Sequence, residues 1–182
     1  KKIQKGLEDL NFEQVQFEIH FAEKKEYSKD GIDDAEFRIS LNQGQQVKPL
    51  TEVASGGELS RIMLAIKAVM ADKDEIETLI FDEIDSGISG RTAQMVSEKM
   101  NLLGRTHQII CITHLPQIAA MADAHYLIEK AVSNGSTVSK IRMLDPAETV
   151  DELSRMLGGV EITDKVRESA KEMKELALKK KK

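Results

Sequence analysis

Hydrophobic and polar residues alternate along two stretches in the first part of the chain, with the period of a strand that buries one face. The alternating apolar positions are Val15, Phe17, Ile19 and Phe21 in the first stretch and Phe37, Ile39 and Leu41 in the second. The polar segment 24–33 between them contains Gly31 and is predicted to be a loop or hairpin connection. The two stretches are therefore predicted to pair as antiparallel strands.

The apolar period becomes helical after Ser55-Gly56-Gly57. The apolar positions of this predicted helix are Leu59, Ile62, Met63, Ile66, Val69 and Met70. Thr78–Phe81 follows as a short apolar run that ends in Asp82-Glu83, which is typical of a strand buried on both faces of a parallel sheet. Another helix is predicted from Arg91 to Leu103, where Gly104 ends it.

A second buried strand is predicted at Gln108–Thr113, and a short helix at Leu115–Met121 follows it. Strands are also predicted at 126–128 and 138–144, joined across the hairpin signal Asn134-Gly135. The alternation of strands and helices predicts an α/β fold with a parallel core sheet, flanking helices and an antiparallel strand pair.

Two further helices are predicted near the end of the chain. Thr149 and Glu152 have the spacing of a capping box, and Gly158-Gly159 would end the helix that they begin. The last helix is predicted from about Asp164 into the terminal lysines.

Composition and charge limit the possible classes of protein. The chain has 182 residues, of which 41% are hydrophobic and 31% charged, as in one globular domain. The net charge of −5 argues against a domain-wide basic surface for duplex DNA, although a local basic patch is still possible. Cys111 lies in an apolar run and is predicted to be a buried structural thiol. With no apolar run of the ~18 residues that span a bilayer and no signal peptide, we expect a cytoplasmic protein without a membrane partner.

The first candidate site is Ser55-Gly56-Gly57-Glu58-Leu59-Ser60 at the predicted start of a helix. A helix N-terminus offers free N–H groups and the positive end of the helix dipole, so it attracts phosphate. Glycines let the backbone approach a ligand closely, and a serine hydroxyl can donate to a phosphate oxygen. The same residues could equally be a capping box after a tight turn.

The second candidate site is the acid pair Asp82-Glu83 at the end of a predicted parallel strand, the edge where nucleotides bind in open α/β folds. Asp82 would hold Mg²⁺ through water, and Glu83 would polarise the attacking water as a general base. The alternative is an exposed acidic strand end. Asp85 follows in the next loop, and His114, at the end of the next strand, could touch both a γ-phosphate and the acids.

The order and spacing of these groups resemble the C-terminal lobe of an ABC ATPase head. The matching motifs are the signature motif, Walker B, the D-loop and the switch histidine. Gly-x-x-x-x-Gly-Lys-Ser/Thr does not occur in the sequence. The phosphate loop is therefore expected on another polypeptide segment, as in heads of the SMC type, and the chain alone is expected to be inactive.

Four runs resemble one family in particular, the RecN family of bacterial DNA repair proteins. These runs are 47–50, 53–61, 80–90 and 113–119. The resemblance implies that residues 12–182 form the C-terminal lobe of an ATPase head and that residues 1–11 end a coiled-coil arm. It also implies ATP hydrolysis with Mg²⁺ and a nucleoid-associated role in the recombinational repair of double-strand breaks.

The same resemblance implies partners and roles for the site residues. The partners would be the N-terminal lobe, DNA, and a second head in a homodimer that sandwiches ATP. The residues implied to contact nucleotide bound to the opposite head are Ser55, Gly56, Gly57 and Glu58. Those implied to act on nucleotide in the same head are Asp82, Glu83 and His114, whereas Asp85 would cross the dimer interface.

Two other functions are weighed against this one. A transporter ATPase fragment would need a glutamine loop and a coupling surface for membrane helices, and neither is found in the sequence. A non-hydrolysing scaffold or DNA-binding module could use a strip of lysines, namely Lys165, Lys171, Lys174 and Lys179–Lys182. The simpler interpretation of the strip is a solvated helix face with a flexible tail.

Overall fold

The protein is described by a computed structural model that covers residues 1–12, 14–42, 44–53, 55–73, 75–133, 136–159 and 161–181, with the side chains of residues 53, 72, 132 and 133 left out. The chain folds into two compact units, Lys1–Ile112 and Thr113–Lys182. In the described part of the chain, no helix is long and apolar enough to cross a bilayer.

The helices and strands follow the order that the hydrophobic pattern predicts. The first unit contains α1 (Lys2–Glu8), β1 (Gln16–Ser28), β2 (Gly31–Ser40), β3 (Lys48–Pro49), α2 (Leu50–Val53), α3 (Gly56–Met70), a 3₁₀ turn (Ala71–Lys73), β4 (Thr78–Phe81), α4 (Gly90–Leu103) and β5 (Gln108–Cys111). The second unit contains α5 (Pro116–Met121), β6 (Tyr126–Ser133), β7 (Ser136–Met143), α6 (Pro146–Gly158) and α7 (Asp164–Lys180).

β1 and β2 form the predicted antiparallel pair, but the hairpin is longer than its apolar pattern. Most of the segment predicted as a loop is strand, and Ser28 pairs with Gly31 across a tight turn. Strand pairing can continue through polar residues here because both faces are largely exposed. Phe21 is 65% exposed, so the expected burial of the apolar face is wrong at this end of the hairpin.

β4 and β5 are parallel, with Leu79 opposite Ile109 and Phe81 opposite Cys111. Leu79 and Phe81 are buried, whereas Ile80 is 67% exposed. The prediction that both faces are buried is therefore wrong for this lobe, because one face of the sheet has no cover within the described residues. The next strand along the chain, β6, pairs antiparallel with β7 in a separate sheet rather than extending the parallel one.

The residues that α3 buries after its first turn are Arg61, Ile62, Leu64, Ala65 and Ile66. The predicted apolar face is only partly right, because four of its members are more than a third exposed. These are Leu59, Met63, Val69 and Met70.

α1 packs against the buried face of α3. A Cβ on Gly6 would lie 3.6 Å from the Cβ of Ala65, which is ordinary van der Waals contact. Leu7 and Leu10 are fully or almost fully buried. The segment predicted to end a coiled-coil arm thus contributes to the core of the first unit.

The first turn of α3 lies very close to the loop that follows β4. A Cβ on Gly57 would lie 2.8 Å from the backbone oxygen of Glu83 and 2.7 Å from the Cβ of Ser86. Side chains do not pack at such distances, so only glycine allows the helix to approach the loop this closely. A Cβ on Gly56 would meet mainly the Glu83 carboxylate, which can rotate away.

The second unit is built on packing among its three helices. Its core contains Ala120, Met121, Leu153, Ala170 and Ala177. β6 and β7 pair in register from Tyr126 opposite Met143 to Ser133 opposite Ser136. The predicted turn residues Asn134 and Gly135 lie outside the described residues.

α6 begins earlier than its predicted cap. Asp145 is the N-cap and its side chain accepts a hydrogen bond from the Glu148 N–H at 2.8 Å, while Glu148 accepts from the Asp145 N–H. Pro146 suits the first helical position because its fixed φ is helical and it has no N–H to satisfy. Thr149 is therefore a buried residue inside the helix, and its predicted capping role is wrong. Gly159, with φ of 67°, ends the helix as predicted.

Replacing Gly57 with alanine is expected to destabilise the chain by about 1–3 kcal/mol, because the new methyl group would overlap backbone atoms of the loop. The matched variant Gly56→Ala should cost about 1 kcal/mol or less, since the Glu83 side chain can move. Urea unfolding followed by circular dichroism would measure both. Equal losses for the two variants would contradict the contact described for Gly57.

Replacing Asp145 with alanine is expected to weaken the start of α6 by roughly 1 kcal/mol, because the Glu148 N–H loses its acceptor. Amide hydrogen exchange of the first turn of α6 would measure the effect, and Asp145→Asn, which keeps an acceptor oxygen, is the control. Unchanged exchange in the alanine variant would argue against Asp145 as the cap.

Candidate functional site

The acid pair Asp82-Glu83 lies directly after β4, at the carboxyl end of the parallel strands β4 and β5. Both residues are exposed. This is the sheet edge at which the sequence predicted them, and it is the edge that binds ligands in open α/β sheets. The pair is therefore accessible to a ligand that approaches this edge of the first unit.

The start of α3 carries the second set of predicted residues. Glu58 Oε2 accepts hydrogen bonds from the Ser55 N–H at 2.9 Å and from the Ser55 hydroxyl at 2.8 Å. The capping-box interpretation of this motif is thus confirmed. Ser55 and Gly56 are nevertheless exposed, so the tip of the helix also remains open to a ligand.

The structure brings the two predicted sites together within the first unit. Glu83 Oε2 is only 2.5 Å from the position that a Cβ on Gly56 would occupy. A carboxylate at this point is favoured by the positive end of the α3 dipole. The glycine-bearing helix tip and the proposed base therefore form one continuous surface.

The loop from Asp82 to Ser86 has an unusual backbone at its centre. Glu83 has φ of 55°, a left-handed conformation that is uncommon for residues other than glycine. Local hydrogen bonds support it, because Asp82 Oδ1 accepts from the Glu83 N–H at 2.9 Å and the Glu83 carbonyl accepts from the Ser86 N–H at 2.9 Å. Non-glycine residues in such conformations cluster at functional sites.

Two polar side chains of α3, Ser60 and Arg61, hold the same loop, a role that the sequence did not indicate although both lie in the run 53–61. The Ser60 hydroxyl donates to the Asp82 carbonyl at 2.8 Å. Arg61 Nη1 donates to the carbonyls of Ile84 at 3.1 Å and Ser86 at 2.9 Å. Burial lowers the pKa of Arg61 and nearby Glu58 partly offsets this. No local pattern marks these residues, since their acceptors lie more than twenty positions along the chain.

Asp85 differs from the exposed acids beside it, because only 4% of its surface is accessible. Its predicted role across a dimer interface stays a prediction. Burial, and then the negative charges of Asp85 and Asp82, raise the pKa of Cys111 to about 12. Cys111 therefore stays a thiol at neutral pH and agrees with the predicted structural role, although it is only partly buried.

His114 belongs to the second unit, two residues after the end of the first, and its side chain is exposed. Thr113 shapes the backbone there, since its Oγ1 accepts from the Leu115 N–H at 3.0 Å. The predicted contact between His114 and a γ-phosphate stays a prediction.

Two lysines of the proposed strip bind other groups of the second unit. Lys174 donates to the carbonyls of Ala120 at 3.0 Å and Ala122 at 2.8 Å. Lys181 pairs with Asp123. These two lysines therefore satisfy groups near the end of α5, and the strip is less available to a nucleic acid than its sequence suggests.

Few side chains near Asp82 could serve as ligands for a metal ion. Within the described ranges, no three His, Cys, Asp or Glu side chains are grouped to hold a metal ion. One exposed carboxylate suits Mg²⁺, which keeps several waters and takes few protein ligands when phosphates supply the rest. The residues present thus fit a magnesium ion held chiefly by nucleotide and water.

Comparison with solved structures identifies the fold. The chain resembles the Smc head domain with a coiled coil and joint from Pyrococcus yayanosii, with a TM-score of 0.59 and 21% identity over 85% of this chain and 28% of that one. It also resembles an SmcHead bound to the C-winged helix domain of ScpA, with a TM-score of 0.50 and 21% identity over 82% of this chain and 44% of that one. The predicted fold class, an α/β lobe of an SMC-type head, is confirmed.

Comparison with curated proteins finds several DNA repair proteins named RecN, whereas no protein-family model matches the chain. The DNA repair protein RecN of Halalkalibacterium halodurans is 45% identical over 97% of this chain and 32% of its own length. RecN of Vibrio cholerae is 40% identical over 95% of the chain and 31% of its own length. RecN of Bacillus subtilis is 47% identical over 80% of the chain and 25% of its own length.

The chain spans about a third of the length of the first of these relatives. Identity at this level over nearly all of this chain confirms the predicted resemblance to RecN, of which the chain matches a part.

Proposed function

We propose that this chain is the C-terminal lobe of an ATP-hydrolysing head, and that the full-length protein uses the head in the recombinational repair of DNA double-strand breaks. One observation carries the proposal: the Glu83 carboxylate lies against the glycine tip of α3, at the carboxyl end of a parallel strand pair. A general base, an anion-attracting helix tip and a ligand-binding sheet edge are thus combined in one place.

The roles of the acids follow from their positions. Asp82 is exposed and offers oxygen to Mg²⁺ through water, and the ion would balance charge on the nucleotide phosphates. Glu83 is exposed next to it and would orient a water molecule and accept its proton. His114 would contact the terminal phosphate of nucleotide in the same head.

An N-terminal lobe is the first proposed partner. The open face of the β4–β5 sheet exposes three isoleucines, Ile80, Ile110 and Ile112, each by 45% or more. Apolar side chains grouped on one face of a two-stranded sheet favour coverage by further protein. The chain also lacks the sequence of a phosphate loop, which the N-terminal lobe would supply.

A second head is the next proposed partner. Ser55 and Gly56 lie exposed at the tip of α3, and Glu58 fixes the conformation of that tip. In a homodimer that sandwiches ATP, this tip would contact the γ-phosphate bound to the opposite head. Asp85 would approach the interface only after its side chain leaves its buried position.

DNA completes the proposed set of partners. The net charge of −5 and the internal bonds of Lys174 and Lys181 do not favour this lobe as the main DNA contact. We therefore assign DNA binding to the full-length protein, which would act in the bacterial cytoplasm at the nucleoid.

Replacing Glu83 with glutamine in the full-length protein is expected to lower ATP turnover by about 10²–10⁴, because an amide cannot accept the proton of the attacking water. ATP-dependent pairing of heads should persist, since the amide keeps the size of the side chain. Phosphate release and light scattering would measure turnover and pairing. Glu75→Gln, an exposed position in the same unit, is the control, and normal turnover in the Glu83 variant would remove Glu83 from the base role.

The 182-residue chain by itself is expected to show no ATPase activity, because it carries no phosphate loop to hold the nucleotide. Addition of the N-terminal lobe should restore hydrolysis. Phosphate release by the purified chain, with its Glu83→Gln variant as a control for contaminants, is the measurement. Hydrolysis that the chain performs alone and the variant does not would contradict the shared site.

A further inference from the structure

The loop that carries the candidate acids is held from outside by α3. Ser60 bonds the carbonyl of Asp82, and Arg61 bonds the carbonyls of Ile84 and Ser86. These acceptors lie on both sides of Glu83 and within three residues of it. The backbone at Glu83 is therefore anchored on each side by a side chain from one helix.

Arg61 is buried in the first unit. Its residue surface is 7% exposed, and its guanidinium carbon lies 5.5 Å above the centre of the Phe12 ring. A cation in such a position is retained only when hydrogen bonds replace its hydration. The loop carbonyls supply those bonds, so the burial of Arg61 and the shape of the loop depend on each other.

Glu83, the residue between these anchored carbonyls, has a backbone conformation that needs support from its surroundings. Glu83 has a left-handed backbone with φ of 55°, a conformation that persists only when the surrounding structure enforces it. Its own two local hydrogen bonds fix the loop internally, but they do not fix its position relative to the helix tip. Only Ser60 and Arg61 join the loop carbonyls to α3 through side chains among the hydrogen bonds described for these residues.

We propose that Arg61, assisted by Ser60, is the positioning residue for the general base: it holds the Asp82–Ser86 loop on α3 and thereby sets where the Glu83 carboxylate stands relative to the phosphate-binding tip. The inference rests on the proposed ATPase function and gives a role to two residues that are not among the site residues predicted to contact nucleotide. Arg61 is buried and bonds only backbone carbonyls in the described contacts, so it acts through Glu83 rather than on the nucleotide.

Steady-state kinetics of the full-length protein would test this with Arg61→Met, Arg61→Lys and Ser60→Ala. Arg61→Met should lower kcat about tenfold to a hundredfold, because small displacements of a catalytic group have effects of this size. KM for ATP and ATP-dependent head pairing should stay within about twofold of the wild-type values, since the nucleotide contacts are unchanged.

Arg61→Lys should restore most of the lost kcat. One nitrogen, Nη1, makes both bonds of Arg61, and an ammonium group can also donate to two carbonyls from a single nitrogen. Ser60→Ala should reduce kcat less than Arg61→Met, because it releases one carbonyl instead of two. Arg105→Met, at an exposed arginine of the same unit, should leave kcat unchanged.

Several results would overturn the inference. Wild-type kcat in Arg61→Met would show that the loop needs no support, and a raised KM with normal kcat would indicate a nucleotide contact instead. If Arg61→Lys loses as much kcat as Arg61→Met, and both variants have the same lowered melting temperature, Arg61 has a structural role alone. If Arg61→Met does not fold, a wild-type kcat in Ser60→Ala overturns the inference, because that variant releases the Asp82 carbonyl from α3.

Failure of the proposed function would look different. It would appear as wild-type protein without Mg²⁺-dependent ATPase activity, or as Glu83→Gln protein with normal turnover. An active wild-type protein, an inactive Glu83 variant and a fully active Arg61→Met variant would reject only the positioning role.

Discussion

The close contact between the first turn of α3 and the loop after β4 is the constraint on which the candidate site depends. Gly57 makes this contact possible, because any side chain would overlap the Glu83 carbonyl and Ser86. Once the helix is that close, Ser60 and Arg61 can reach the loop carbonyls of Asp82, Ile84 and Ser86. Each such bond contributes only about 1 kcal/mol net, but leaving a buried carbonyl or guanidinium unpaired costs more. The close packing at Gly57 and the hydrogen bonds of Ser60 and Arg61 therefore favour the same position of the loop against α3.

One electrostatic property of the α3 tip supports both its cap and its proposed role in binding phosphate. The free amides and the dipole make the helix start positive, so it stabilises a carboxylate or a phosphate alike. Glu58 uses part of that potential in the capping box, and Glu83 lies over the adjacent glycine. The capping interpretation and the phosphate-binding interpretation of Ser55-Gly56-Gly57-Glu58 are therefore compatible, since both arise from unpaired amides at a helix end.

The distribution of apolar surface agrees with a lobe that works with other protein. Ile80 and its neighbours on β5 are exposed on one face of the parallel pair, and Phe21 is exposed on the long hairpin. In the same unit the opposite face, with Leu79 and Phe81, is buried as in any globular core. The chain spans about a third of the length of the first of its curated relatives, and the proposed N-terminal lobe would be one such protein. The open sheet face is where that lobe would bury the most apolar area.

Local patterns in the sequence determined most of the elements and the sheet edge of the acids. The bounds of α4 and the strand before Asp82-Glu83 follow from helical and strand periods and from glycine stops, which depend only on near neighbours. The cap at Asp145 was also encoded locally, by Pro146 and Glu148, but Thr149 offered a competing match to the same pattern. Only the tertiary structure decided that Ile80 is exposed, that Glu83 is left-handed and lies against Gly56, and that Arg61 is buried under loop carbonyls. The contact of Glu83 with Gly56 and the burial of Arg61 depend on groups more than twenty residues apart. Hydrophobic periodicity does not indicate which distant backbone atoms a side chain will contact.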